Sequence, residues 1–117
     1  MKKPRRILLV YNPHACSGKS IVHLPDILES FKHHGVQVEV QETNAPSDAI
    51  QIAYHARSKY PFIVAVGGDG TINEVINGIV GAKKQPILGI IPLGTENVLA
   101  QELGIPLDPA EACERIL

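Results

Sequence analysis

Apolar positions run along this chain in two alternating rhythms. Short, nearly continuous apolar runs give way to segments in which apolar residues recur every three or four positions. The first rhythm suits buried strands; the second puts apolar side chains on one face of a helix. Arg6–Tyr11 (RILLVY) is the first predicted strand. Leu24, Ile27, Leu28 and Phe31 then follow helical spacing, and Gly35 supplies the stop. Val36, Val38 and Val40 alternate with Gln37, Glu39 and Gln41, which predicts a half-buried strand nearer an edge. Ala49, Ile52, Ala53 and Ala56 mark a second helix, with Pro46 and Ser47 suited to its start. Phe62–Val66 (FIVAV) has no polar position, as expected of a parallel strand covered on both faces. Ile72, Val75, Ile76 and Ile79 give a third helical stripe, and Ile87–Ile91 (ILGII) another buried strand. Asn97–Leu103 reads as a short helix stopped by Gly104 and Pro106. Asp108, Pro109 and Glu111 read as the cap, first residue and capping-box acid of a last helix.

Strands and helices thus alternate four times before that last helix. The pattern predicts an α/β fold: a three-layer open parallel sheet, right-handed crossovers, and helices on both faces. At 117 residues the chain is one domain by size, without repeats, low-complexity stretches or an internal linker. The last helix opens at Asp108 and the sequence stops at Leu117, about two turns later, so the expectation is a segment of something longer.

Composition removes several classes of function. The net charge of −1 gives no basic excess with which to neutralise nucleic-acid phosphates. Lys2, Lys3, Arg5 and Arg6 form the one basic run, read as flanking the first strand, with weak attraction to an anionic membrane surface as the alternative. No apolar run approaches the roughly 20 residues of a membrane span, and the N-terminus lacks the pattern of a signal peptide. Cys16 and Cys113 make no disulfide framework, which points to a reduced, cytoplasmic protein. The five histidines form no metal pattern; His33 and His34 are adjacent and diverge by about 100° on a helix.

Open parallel sheets bind ligands at the carboxyl ends of their strands. Four segments are expected there: Asn12–Ser20 (NPHACSGKS), Thr43, Gly67–Thr71 (GGDGT) and Gly94–Asn97 (GTEN). Gly67, Gly68 and Gly70 allow a sharp turn whose N–H groups can hold an anion, helped by the positive end of the helix that follows. A plain tight turn would need no acid. Asp69 is a carboxylate where a phosphate is expected, which is repulsive unless Mg²⁺ or a proton-yielding hydroxyl stands between them. Helix capping is the other reading of Asp69. Thr71 offers a hydroxyl donor; Ile72, Asn73 and Glu74 open the helix, where Glu74 either caps or reaches a ligand. Gly18-Lys19-Ser20 resembles the end of a P-loop, but Pro13 stands where that pattern needs glycine. Lys19 can still meet a phosphate as a point charge. No G-x-G-x-x-G follows the first strand, so a dinucleotide fingerprint is absent. Gly94 and Thr95 repeat the glycine–threonine theme one βα unit beyond Gly70, so the two turns can face one ligand.

With these residues assembled, the sequence resembles a known family. Val64–Gly78 (VAVGGDGTINEVING) is similar to the signature of the diacylglycerol kinase catalytic domain, as in bacterial lipid kinases and sphingosine and ceramide kinases. Pro92–Gly104 (PLGTENVLAQELG) looks like its second motif, and Asn12-Pro13 with Ser17-Gly18 like its first. GGDGT is shared with NAD kinases; the continuation INEVING, with GTEN, favours the lipid-kinase branch. The resemblance implies an N-terminal domain that binds ATP and Mg²⁺ and transfers phosphate to a lipid acceptor. It implies nucleotide contacts from Asn12, Thr43, Gly67 through Asn73, and Thr95, with Asp69 at the phosphoryl-transfer centre. Pro13, Ser17, Gly18, Lys19, Glu74, Gly94 and Asn97 complete the candidate set; metal ligands stay unassigned. Val98 departs from the family, many of whose members have Asp there. The resemblance further implies a C-terminal β-rich domain forming much of the lipid site, and a partly apolar facing surface on this one that makes a homodimer plausible. An NAD kinase, or a nucleotide-binding module without catalysis, is the remaining alternative.

Overall fold

A computed structural model of the protein describes residues 6–14, 20–93, 101–105 and 109–116. The elements alternate as the apolar rhythm predicts: β1 (Arg6–Tyr11), α1 (Ser20–His33), β2 (Gln37–Glu42), α2 (Asp48–Ala56), β3 (Phe62–Gly67), α3 (Asp69–Ile79), β4 (Ile87–Pro92) and α4 (Pro109–Ile116). The strands form one parallel sheet in the order β2-β1-β3-β4. The chain moves outward from β1 to β2, then returns past β1 to lay down β3 and β4. Between β1 and β3 the direction of winding reverses, and a crevice opens there at the carboxyl ends of the strands.

Alternate side chains of each strand feed two apolar layers. Ile7, Leu9 and Tyr11 of β1 join Val64 and Val66 of β3 beneath Ile27 and Phe31 of α1 and Ala112 and Cys113 of α4. Leu8 and Val10 join Ile63 and Ala65 beneath Ala49, Ala53 and Ala56 of α2 and Ile72, Val75 and Ile79 of α3. Ile63 through Val66 are fully buried, as a central parallel strand requires. Each large apolar side chain sunk in these layers contributes about 1.5–3 kcal/mol.

Several local expectations meet their physical limits here. β2 is an edge strand, but it is barer than its alternation suggests. Val36, just before the strand, is buried, while Val40 is 38% exposed. Gly35 does end α1, with φ of +75° that a side chain would strain. Ser47 precedes α2 but makes no capping bond with its side chain and takes φ of +73°. The capping is reversed: the Asp48 carboxylate accepts hydrogen bonds from the N–H groups of Asn44 (2.7 Å) and Ala45 (2.9 Å). Pro109 opens α4 as expected; Asp108 lies outside the described residues. So does most of the short helix expected over Asn97–Leu103, of which Gln101 and Glu102 are helical.

At the far end of the sheet, Arg6 bridges Glu39 at 3.0 Å and lies over the Tyr60 ring at 4.4 Å. The Tyr60 hydroxyl donates to the same carboxylate. Those hydrogen bonds, from Tyr60 and then Arg6, hold the Glu39 carboxyl below the usual range, and Glu39 in turn raises the Tyr60 hydroxyl. The cluster ties β1, β2 and the turn before β3 at the edge opposite the candidate site.

Candidate functional site

The strand ladder continues past the strand ends at the carboxyl edge. Asn12 N–H donates to Val66 O (3.2 Å), Thr43 N–H to Tyr11 O (2.9 Å), and Leu93 N–H to Gly67 O (2.8 Å). The three loop openings are therefore fixed to one another by backbone, whatever their side chains do. Asn12, His14, Thr43, Gly70, Thr71 and Glu74 line a cavity of about 350 Å³ at this edge, closed on the α2 side by Asn44–Pro46 and Ala49. That volume suits a small-molecule site, which typically spans about 300–1,000 Å³. A cavity of about 380 Å³ lies beside α2 between Leu8, Gln41, His55 and Tyr60, away from the glycine turns. Chemistry, not size, separates the two: only the first gathers the sequence candidates.

The glycine turn is built for close approach. Gly68 precedes α3 in extended conformation, and Asp69 is the first helical residue, partly buried. The positive end of the α3 dipole lies at this turn, beside the cavity that Gly70 and Thr71 line. A Cβ on Gly67 would come within 3.0 Å of the Thr71 Cβ and Oγ1, so glycine there admits the Thr71 side chain. A Cβ on Gly70 would meet nothing within 4 Å. The space above Gly70 belongs to the cavity, not to the protein.

Thr43 and Thr71 are the two buried polar side chains described in the core, at 7% and 6% exposure, and both border the cavity. Asn12 joins the loops: its Oδ1 accepts from His14 N–H (2.9 Å) and its Nδ2 donates to Thr71 Oγ1 (3.3 Å).

Of the candidates, Asn12, Thr43, Gly70, Thr71 and Glu74 converge on the cavity, with Gly67, Gly68 and Asp69 forming the adjoining turn. Pro13 lies between Asn12 and His14 in the first loop, off the lining. Ile72 is placed differently: its side chain is fully buried in the core and its N–H donates to Gly68 O (3.0 Å). Asn73 is exposed and does not line the cavity. Ser17, Gly18, Lys19, Gly94, Thr95 and Asn97 lie outside the described residues. Sequence reasoning missed His14 and the wall Asn44–Pro46. The one signal for that wall was Asp48 at the helix start, and its backward bonds depend on a loop shape that no periodicity encodes. Among the described residues no three His, Cys, Asp or Glu side chains gather as a metal cluster.

Comparison with known proteins agrees with this geometry. The family model described as the diacylglycerol kinase catalytic domain matches residues 6–117. A diacylglycerol kinase of Bacillus subtilis (strain 168) is 41% identical over 105 residues, covering 87% of this chain and 34% of the relative. One from Staphylococcus haemolyticus (strain JCSC1435) is 40% identical over 120 residues, covering 100% of this chain and 35% of the relative. The crystal structure of a diacylglycerol kinase from Bacillus anthracis str. Sterne superposes with a TM-score of 0.89 at 33% identity, over 99% of this chain and 40% of that one. The chain therefore spans little more than a third of the length of these relatives. Fold, loop order and sequence agree, and the chain belongs to the diacylglycerol kinase catalytic domain family.

Proposed function

We propose that this chain is the ATP-binding part of a lipid kinase that transfers the γ-phosphoryl group of ATP to a lipid hydroxyl of diacylglycerol or sphingoid type. The observation that carries the reading is the convergence of Asn12, Thr43, Gly70, Thr71 and Glu74 on one cavity beside the start of α3, in a chain of this family. The N–H groups of the Gly67–Gly70 turn hold phosphate oxygens, and Thr71 donates its hydroxyl to another. Thr43 and Glu74 border the remainder of the nucleotide. Ser17, Gly18, Lys19, Gly94, Thr95 and Asn97 belong to the same nucleotide site in this reading.

Asp69 faces the transfer centre, where its carboxylate accepts the proton of the acceptor hydroxyl. Mg²⁺ fits this arrangement, since it is commonly held by one or two carboxylates together with substrate phosphates. It would neutralise charge on the transferring group; Asp69 is the carboxylate of the glycine turn able to serve it. A C-terminal β-rich domain supplies the lipid site and the remaining acidic partners. The protein works in the cytoplasm and meets its acceptor at the membrane surface. No helix among the described residues is long and apolar enough to cross a membrane. Relatives named diacylglycerol kinase favour this reading over an NAD kinase.

Asp69→Asn in the full-length protein tests it, with radiolabelled ATP and either mixed lipid micelles or NAD as acceptor. Label should enter lipid and not NAD. The substitution should cut turnover by about 10²–10⁴-fold and leave Tm close to wild type. Near-normal turnover in Asp69→Asn would remove Asp69 from the reaction, and label in NAD would redirect the function.

A further inference from the structure

The Asn12 side chain crosses the point where the sheet reverses its winding. Its backbone is pinned by the bond to Val66 O, one rung beyond the β1–β3 ladder. Its Oδ1 accepts from His14 N–H at 2.9 Å. A backbone N–H can only donate, so this bond decides which end of the amide carries oxygen. The Nδ2 end is thereby turned across the crevice, where it donates to Thr71 Oγ1 at 3.3 Å, 59 residues away in sequence.

Thr71 has little freedom to answer. It is buried, and the room for a Cβ on Gly67 is already filled by the Thr71 Cβ and Oγ1. A hydroxyl has one proton and two lone pairs. With Asn12 donating into one lone pair, the proton points away from Asn12, and the open space that Thr71 borders is the cavity. At 3.3 Å the bond is long for N–H···O, so its use lies in direction more than in strength.

We infer that Asn12 is a positioning residue: it sets the Thr71 hydroxyl as a donor toward the phosphate site, and acts on ATP through Thr71. This rests on the nucleotide reading of the cavity. Its consequence differs from that of a direct Asn12–nucleotide contact. Two independent contacts lose affinity by factors that multiply, whereas a relay through one hydroxyl can be lost only once.

The test uses Asn12→Ser, Thr71→Val, the double substitution and Thr71→Ser in the full-length protein. Serine at position 12 can still accept from His14 N–H but is too short to reach Thr71. Mg²⁺-ATP affinity is measured by calorimetry, and Tm in parallel. Thr71→Val should weaken ATP binding about tenfold or more, the worth of a donor to a charged group. Asn12→Ser should lose most of the same factor, and the double variant should bind no worse than Thr71→Val. Thr71→Ser should keep both its affinity and its sensitivity to Asn12→Ser. A purely structural latch would lower Tm for Asn12→Ser with ATP affinity unchanged, which overturns the inference. Losses that multiply in the double variant overturn it as well, while leaving the nucleotide reading standing. Absence of ATP binding to the wild type would bring down the reading itself, and this inference with it.

Discussion

At the scale of single residues, the site depends on what is absent as much as on what is present. Gly67 and Gly70 are three residues apart but omit their side chains for different reasons. At Gly67 the space is taken by Thr71, and at Gly70 nothing of the protein occupies it. Gly70→Ala therefore separates folding from function. Alanine favours a helix over glycine by up to about 1 kcal/mol, and its methyl group meets no protein atom, so Tm should hold or rise. ATP affinity should fall about tenfold or more as the methyl displaces a phosphate from its N–H donors. Thermal melts and calorimetry on one sample check both signs, and a Gly70→Ala protein that binds ATP normally would place the phosphates elsewhere. Asp69 stands out in the sequence because a carboxylate in a glycine turn suited to anions is chemically out of place, and the structure puts it first in α3. Ile72 was legible in two ways that disagree: the family signature runs straight through it, while the helical stripe it shares with Val75 and Ile79 puts it on the core face, where the structure has it.

At the scale of elements, the cavity wall depends on how closely α2 approaches α3. Gly78 makes the approach possible. A Cβ there would lie 2.6 Å from Ile50 O and 2.7 Å from the Ala53 Cβ. Ala49, Ala53 and Ala56 present only methyl groups to the same seam. Gly78→Ala gains the helix preference of about 1 kcal/mol but forces the two helices apart. Overpacking costs about 1–3 kcal/mol, occasionally more. With backbone oxygen as the obstacle, the cost should win. A lowered Tm is expected, by roughly 4–8 °C per kcal/mol in a domain of this size. A Gly78→Ala protein melting above wild type would mean that α2 yields easily. The stripe Ile72, Val75, Ile76 and Ile79 announced α3 from the sequence, yet Gly78 gave no sign of its role, because a contact between helices has no local period.

At the scale of the molecule, two complete apolar layers enclose a four-stranded sheet, while the candidate site lies open along one edge. The 117-residue chain alone is expected to fold cooperatively, bind Mg²⁺-ATP weakly, and phosphorylate no lipid. Its layers are internally covered, but the Gly67–Gly70 turn proposed to hold phosphate lies at an open edge, where each charge interaction is worth far less than in a closed cleft. Circular dichroism melts, calorimetry and a micelle assay on the purified chain check the three parts, and saturable lipid phosphorylation would show that no further domain is needed. By itself the sequence determined the alternation of strand and helix, the parallel three-layer class, the Gly67–Gly70 turn and the family, since each of these is written in local periodicity and short motifs. The tertiary structure alone decided that β1 and β3 are neighbours across the reversal of winding. That adjacency brings Asn12 to Thr71, and the packing of α2 on α3 sets Gly78 against Ile50 and Ala53. These are pairings between distant segments, and they follow from how strands order in a sheet and how closely helices pack upon it, which no stretch of chain specifies alone.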